Sequence, residues 1–140
     1  MRVNRIERPV ILLLLLLLLC VSACANSGKN ATGSGVQKKY TQISQDVAKD
    51  MIAKDGSLII VDVRTRSEYE TGHIPSAILV PNESIADKKP ELLPDLNQTI
   101  LVYCRSGNRS KQAAQKLANM GYNKVYEFGG INTWKGKIVK

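Results

Sequence analysis

Cys104 is the residue whose type and setting best suit covalent chemistry. It ends an apolar run, residues 99–103, that reads as a buried strand, and a helical pattern begins at Ser110. Between them lie Arg105, Ser106, Gly107, Asn108 and Arg109. Ligands of an open parallel sheet bind at the carboxyl ends of its strands, and Cys104 stands at such an end. Gly107 lets the backbone curl, so that successive N–H groups point inward as an anion-binding nest. The helix N-terminus brings about half a positive charge and the two arginines bring more. Each of these favours thiolate over thiol and lowers the pKa from its free value of about 8.5. An inert cysteine packed at a strand end is the plain alternative, and the surrounding Gly and Arg residues argue against it.

Other residues carry less. Asp62 at a strand end could act as a general acid or base, though a structural carboxylate fits better. Arg64 could help to bind anions or brace the loop. His73, the only histidine, sits in a turn before Ile74-Pro75, where its ring is better placed to tie down backbone than to catalyse. Glu68 and Glu70 read as solvated or fold-bracing, and Tyr103 and Trp134 as packing. With one histidine, three cysteines and no CxxC, the chain offers neither a zinc cluster nor a disulfide framework, and no metal or cofactor is expected.

The elements that must position Cys104 alternate between strand and helix. Residues 40–43 form a short strand candidate, and Ser44 can cap a helix carrying Val47, Met51 and Ile52, which Asp55-Gly56 ends. The wholly apolar run 58–61 is a strand covered on both faces. A helical turn is expected over 68–71 and a short strand over 77–80, stopped by Pro81. A helix over 110–120 presents Ala113, Ala114, Leu117 and Met120, and Gly121 closes it. A last strand at 124–128 is followed by Gly129-Gly130 and a short helix around 131–135. Such alternation argues for a parallel α/β sheet in one domain, residues 38–140.

The segment before that domain has a different character. Arg2, Arg5 and Arg8 precede an apolar run that starts at Val10 and ends about 13 residues later, before Ser22. At 1.5 Å per residue this is about 20 Å of helix, short of the roughly 30 Å hydrocarbon core. A signal peptide over residues 1–23 therefore fits better than a stable span. Val21-Ser22-Ala23-Cys24 resembles the bacterial lipobox, whose cysteine becomes lipidated and N-terminal; Cys20, behind bulky Leu19, is the poorer candidate. Residues 24–37, rich in Gly, Ser and Asn, read as a tether with an r.m.s. reach of about 20 Å. The expected location is the extracytoplasmic face of the cell membrane, held by a lipid anchor. The net charge of +8 becomes +6 once three Arg and one Glu leave with the signal. Basic residues are not interleaved with aromatic ones, so no nucleic-acid partner is expected, and a basic surface near anionic lipid is the simpler reading.

Three motifs carry a resemblance. Cys104-Arg105-Ser106-Gly107-Asn108-Arg109-Ser110 resembles the active-site loop of single-domain rhodaneses, the thiosulfate-type sulfurtransferases. Asp62-Val63-Arg64 with Glu68-Tyr69 and Gly72-His73-Ile74-Pro75 resembles the family's DVR…EY…GHIP signature. Gly129-Gly130 with Trp134 resembles its GG-x-x-x-W. One departure is Ser76, where the family often has glycine. The resemblance spans roughly residues 38–140 and implies a rhodanese-like α/β fold, a parallel five-stranded sheet flanked by helices on both faces. It implies that Cys104 accepts sulfane sulfur as a persulfide, cradled by the backbone of residues 105–109. Arg105 and Arg109 become the contacts for a small anionic sulfur donor, or Arg109 braces the loop with Asp62 as its ionic partner. The acceptor would be an external thiol or a partner protein. Two other functions compete. A thiolate-dependent phosphatase or arsenate reductase resembles C-x5-R, one residue longer than the C-x4-R here. A non-catalytic binding module of this family often lacks the cysteine that this chain keeps.

Overall fold

The computed structural model describes residues 39–140. The proposed signal peptide, Cys24 and the tether lie outside them. The strands are β1 (Thr41–Gln42), β2 (Ile59–Asp62), β3 (Ile78–Leu79), β4 (Thr99–Cys104) and β5 (Lys124–Gly130). The helices are α1 (Gln45–Lys54), α2 (Arg66–Thr71) and α3 (Asn108–Asn119), with 3-10 turns at Asn82–Ser84 and Ile131–Thr133. All strands pair parallel, in the order β1-β5-β4-β2-β3. Cys104 therefore ends the central strand, where both flanking strands fix its position.

Alternation along β4 divides the core into two layers. Ile100, Val102 and Cys104 face one side, where Val61, Val63 and Val125 join Ala113, Ala114 and Leu117 of α3. Leu101 and Tyr103 face the other side with Ile60, Phe128 and Ala48 of α1, where Met51, Ile52 and Trp134 complete the layer. Ile100, Leu101, Val102 and Tyr103 are each 0% exposed, which is why this stretch reads as a continuous apolar run. Helices thus cover both faces, as the resemblance implies.

The ends of the elements follow local chemistry. Ser44 caps α1 by accepting the Val47 N–H at 3.2 Å. Thr65 and Glu68 form a capping box, so α2 begins at Arg66, earlier than the turn expected over 68–71. α3 begins two residues before the expected Ser110. Its cap is Gly107, in the left-handed region at φ 105°, with no side-chain cap bond. The Ser110 hydroxyl turns back to the Gly107 carbonyl at 2.9 Å. Asn108 and Arg109 are consequently the first two residues of the helix and lie outside the loop. The expected C-terminal helix is only the 3-10 turn Ile131–Thr133. Ser76 adopts φ 64°, the left-handed conformation for which glycine has no steric penalty. Finally, an antiparallel bridge joins His73 to Val139, with N–H···O bonds of 2.8 and 2.9 Å.

Candidate active site

The centre of the site is the step from β4 into α3. Cys104 is 1% exposed, and its Sγ accepts the Gly107 N–H at 3.1 Å. Because no side chain caps α3, the free N–H groups of its first turn remain available to an anion. Burial pushes the Cys104 thiol up. Hydrogen bonds from the Ser110 hydroxyl and from the N–H groups of Ser110, Gly107 and Ser106 outweigh it, and the net pKa lies below the ordinary thiol value. The arrangement stabilises a thiolate, and would equally hold negative charge on a sulfur attached to it.

The loop is clamped from beneath by the end of β5 and the 3-10 turn that follows it. A Cβ on Gly130 would sit 2.3 Å from the Arg105 carbonyl oxygen and 2.6 Å from the Ser106 Cα, so only glycine fits there. The Asn132 N–H donates to that same carbonyl at 3.2 Å. Gln45 of α1 donates to the Gly130 carbonyl at 2.8 Å and ties the turn to the opposite layer. The Gly-Gly pair is therefore the floor on which residues 105–107 rest.

Arg109 has a partner other than the one anticipated. Its two terminal nitrogens each donate to Glu68, at 2.7 Å to Oε2 and to Oε1. The fork joins the first turn of α3 to α2. That hydrogen-bonded guanidinium, working against burial, holds the Glu68 carboxyl down to about 2. Glu68 is thus a bracing residue, and Asp62 is not the partner of Arg109. The reason is strand parity. Asp62 pairs in register with Tyr103, and the Tyr103 hydroxyl donates to its Oδ2 at 2.7 Å, in the layer opposite Cys104. Arg64 folds back on the same carboxylate, Nε to Oδ1 at 2.9 Å and Nη2 to Oδ2 at 2.6 Å, and also donates to the Gly72 carbonyl at 2.7 Å.

Asp62 is 0% and Arg64 4% exposed. Neither reaches the sulfur, and four donor groups on Asp62 leave it no free lone pair aimed at a substrate. They brace the turn that follows β2. Tyr103 completes that brace: burial and the Asp62 carboxylate both push its hydroxyl up, and it stays a proton donor. His73 stacks on Tyr69 with ring centroids 3.7 Å apart, and its Nδ1 lies 3.1 Å from the Tyr69 carbonyl, the backbone-tying role expected of it. Of the anticipated site residues, the structure brings Cys104, Arg105, Ser106, Gly107, Asn108 and Arg109 together and sets Asp62 and Arg64 apart.

Sequence reasoning passed over Ser110 as a site residue and did not consider Glu127. Glu127 is 1% exposed, and its Oε1 accepts from the Ser110 hydroxyl at 2.6 Å and from the Gly129 N–H at 2.8 Å. The available signal was a lone acid inside the otherwise apolar strand Val125–Phe128. Among the described residues, no group of three or more His, Cys, Asp and Glu could hold a metal.

Comparison with known proteins agrees with this geometry. The family model described as rhodanese-like domain matches residues 44–137. The chain is 37% identical over 71 residues to thiosulfate sulfurtransferase PspE of Escherichia coli, covering 51% of this chain and 68% of that one. It is 36% identical over 97 residues to YrkF of Bacillus subtilis, covering 69% of this chain and 51%, about half, of that one. Among solved structures, a rhodanese with anions from E. coli aligns with a TM-score of 0.54 at 34% identity, over 59% of this chain and 96% of that one. The family model spans well over half of the chain, and the relatives include named thiosulfate sulfurtransferases; the chain belongs to the rhodanese-like family as a rhodanese-type sulfurtransferase.

Proposed function

We propose that the protein moves sulfane sulfur from a small anionic donor such as thiosulfate to an external thiol or a partner protein, through a persulfide on Cys104. The observation that carries this reading is the Cys104 sulfur set against the Gly107 N–H and the uncapped start of α3. The thiolate attacks the outer sulfur of thiosulfate, the S–S bond breaks, and sulfite leaves with the bonding pair. The charge on the new terminal sulfur falls to the loop amides. An acceptor thiolate, or cyanide in the test tube, then attacks that sulfur, and Cys104 leaves as thiolate. Arg105 stands on the loop and guides the anion, while Arg109 holds the loop through Glu68.

Cys104 is the free cysteine of the described residues, so its persulfide has no partner there with which to form a disulfide. Mass spectrometry after incubation with thiosulfate should show one added sulfur on Cys104. A Cys104→Ser variant should fold like the parent and transfer nothing. Transfer from thiosulfate to cyanide by that variant would refute the assignment. A parent protein that gains no sulfur from several donors would point to a binding module.

The tethered location belongs to the same proposal and rests on the lipobox-like sequence before Cys24. Cys24→Ala, or globomycin treatment, should leave a larger precursor. Normal processing and anchoring of the variant would remove the lipid anchor from the reading.

A further inference from the structure

Glu127 is the buried acid that the proposed reaction leaves unused. It lies on β5 behind the catalytic loop, and three donors converge on it: the Ser110 hydroxyl at 2.6 Å, the Gly129 N–H at 2.8 Å and the Gln42 side-chain amide at 3.1 Å. No described lysine or arginine forms an ion pair with it. A buried carboxylate held by neutral donors alone is costly, so its position calls for a reason.

The reason lies in Ser110. This residue is 0% exposed, and its hydroxyl has one proton to give. That proton is drawn to the Glu127 Oε1 at 2.6 Å, the Gly107 carbonyl at 2.9 Å and the Gly129 carbonyl at 3.4 Å. Gly107, whose carbonyl it reaches, also gives its N–H to the Cys104 sulfur at 3.1 Å, so the sulfur is the neighbouring acceptor. A hydroxyl–carboxylate bond is shorter and stronger than one to a neutral acceptor. While Glu127 draws the proton, the hydroxyl's share in holding the Cys104 sulfur is reduced and the backbone N–H groups carry more of it. When Glu127 releases it, the hydroxyl can turn to the sulfur.

We propose that Glu127 is a positioning residue that sets the reactivity of Cys104 by directing the Ser110 hydroxyl away from it. The thiolate is thereby less fully solvated and more nucleophilic than the loop could otherwise make it. This goes beyond the sulfurtransferase reading and depends only on Cys104 being ionisable in its loop. The charged groups around the pair are few. Arg105 is on the loop, Arg109 of α3 is tied to Glu68 of α2, and Glu83 acts on Arg109 from the Asn82–Ser84 turn. Lys111 of α3 lines the same groove as Glu127, where β1 brings Gln42 and α1 brings Gln45.

The test is a double-mutant cycle on the full chain, read as the pH midpoint of iodoacetamide alkylation of Cys104. Glu127→Gln is isosteric, and its amide oxygen competes less strongly for the hydroxyl proton. It should lower the midpoint by about half a pH unit or more. In a Ser110→Ala background the same substitution should move it by less than half as much. Glu127→Asp keeps the charge but draws it back by one methylene, and should also lower the midpoint in a Ser110-dependent way; it gives the reading should the neutral variant fail to fold. An unmoved midpoint in the folded variants, or an equal shift with and without Ser110, would overturn the proposal. Alkylation does not require sulfur transfer, so this result and that of the persulfide experiment are independent.

Discussion

The sulfur of Cys104 is held by N–H groups whose positions are fixed before any substrate arrives. With the pKa below the ordinary thiol value, its alkylation rate should reach its plateau at lower pH than that of a free cysteine thiol, and a rate that climbs over the same range as the free thiol's would contradict the loop geometry. Arg109 and Glu68 give a second expectation. Arg109→Lys keeps the charge but loses the planar fork, and we expect kcat/KM to fall ten-fold or more, about 1.4 kcal/mol. Glu68→Gln should reproduce most of that loss if the pair acts as a brace; an unchanged or improved rate would show that Arg109 serves the donor directly.

The same pair carries a pH signature. Glu68 titrates at about 2 when folded and near 4.3 when unfolded, so the unfolded state binds the proton more readily. The stability it contributes is complete above about pH 4.3 and is lost as pH falls toward 2. Melting curves of parent and Glu68→Gln should therefore draw together as pH falls from about 4 and meet only at about pH 2 and below. At this scale the cysteine and its loop were legible from residue type alone. The partner of Arg109 was not, because strand parity turns Asp62 into the layer opposite Cys104 and only the folded position of α2 brings Glu68 to Arg109.

At the scale of elements, alternation, apolar runs and caps revealed the architecture, and boundaries moved where a cap was not a side chain. Ser44 announced α1 because its hydroxyl does the capping. Gly107 concealed the start of α3 because its backbone does the turning and Ser110 is engaged elsewhere. This omission leaves the first-turn N–H groups free for sulfur. The Gly-Gly pair that ends β5 supplies the element-level test. Gly130→Ala would force the catalytic loop off its floor, costing about 1–3 kcal/mol of stability, with a larger proportional loss of persulfide formation. Wild-type activity in that variant would mean that the loop keeps its shape without the contact.

At the scale of the whole molecule, the two layers of the core divide the labour. One carries Cys104 and α3, and the other carries the Asp62–Arg64–Tyr103 network that stiffens the turns after β2. That network reaches the Gly72 carbonyl, and the next residue, His73, exchanges two backbone bonds with Val139. Ile138 lies so close to Gly72 that a Cβ there would meet its Cγ2 at 2.9 Å. The bridge therefore works as a clasp, and its consequence is one of durability. Any cut or deletion that removes Val139 would unfasten the segment that Arg64 holds through Gly72, so the persistence of that corner leans on two backbone bonds. Deleting residues 138–140 should lower Tm by at least about 4 °C and speed degradation, with Cys104 still able to take up sulfur below the new melting point. For the same reason, a rigid insertion placed directly after Val139 would pull on the clasp, whereas a flexible one would leave it fastened.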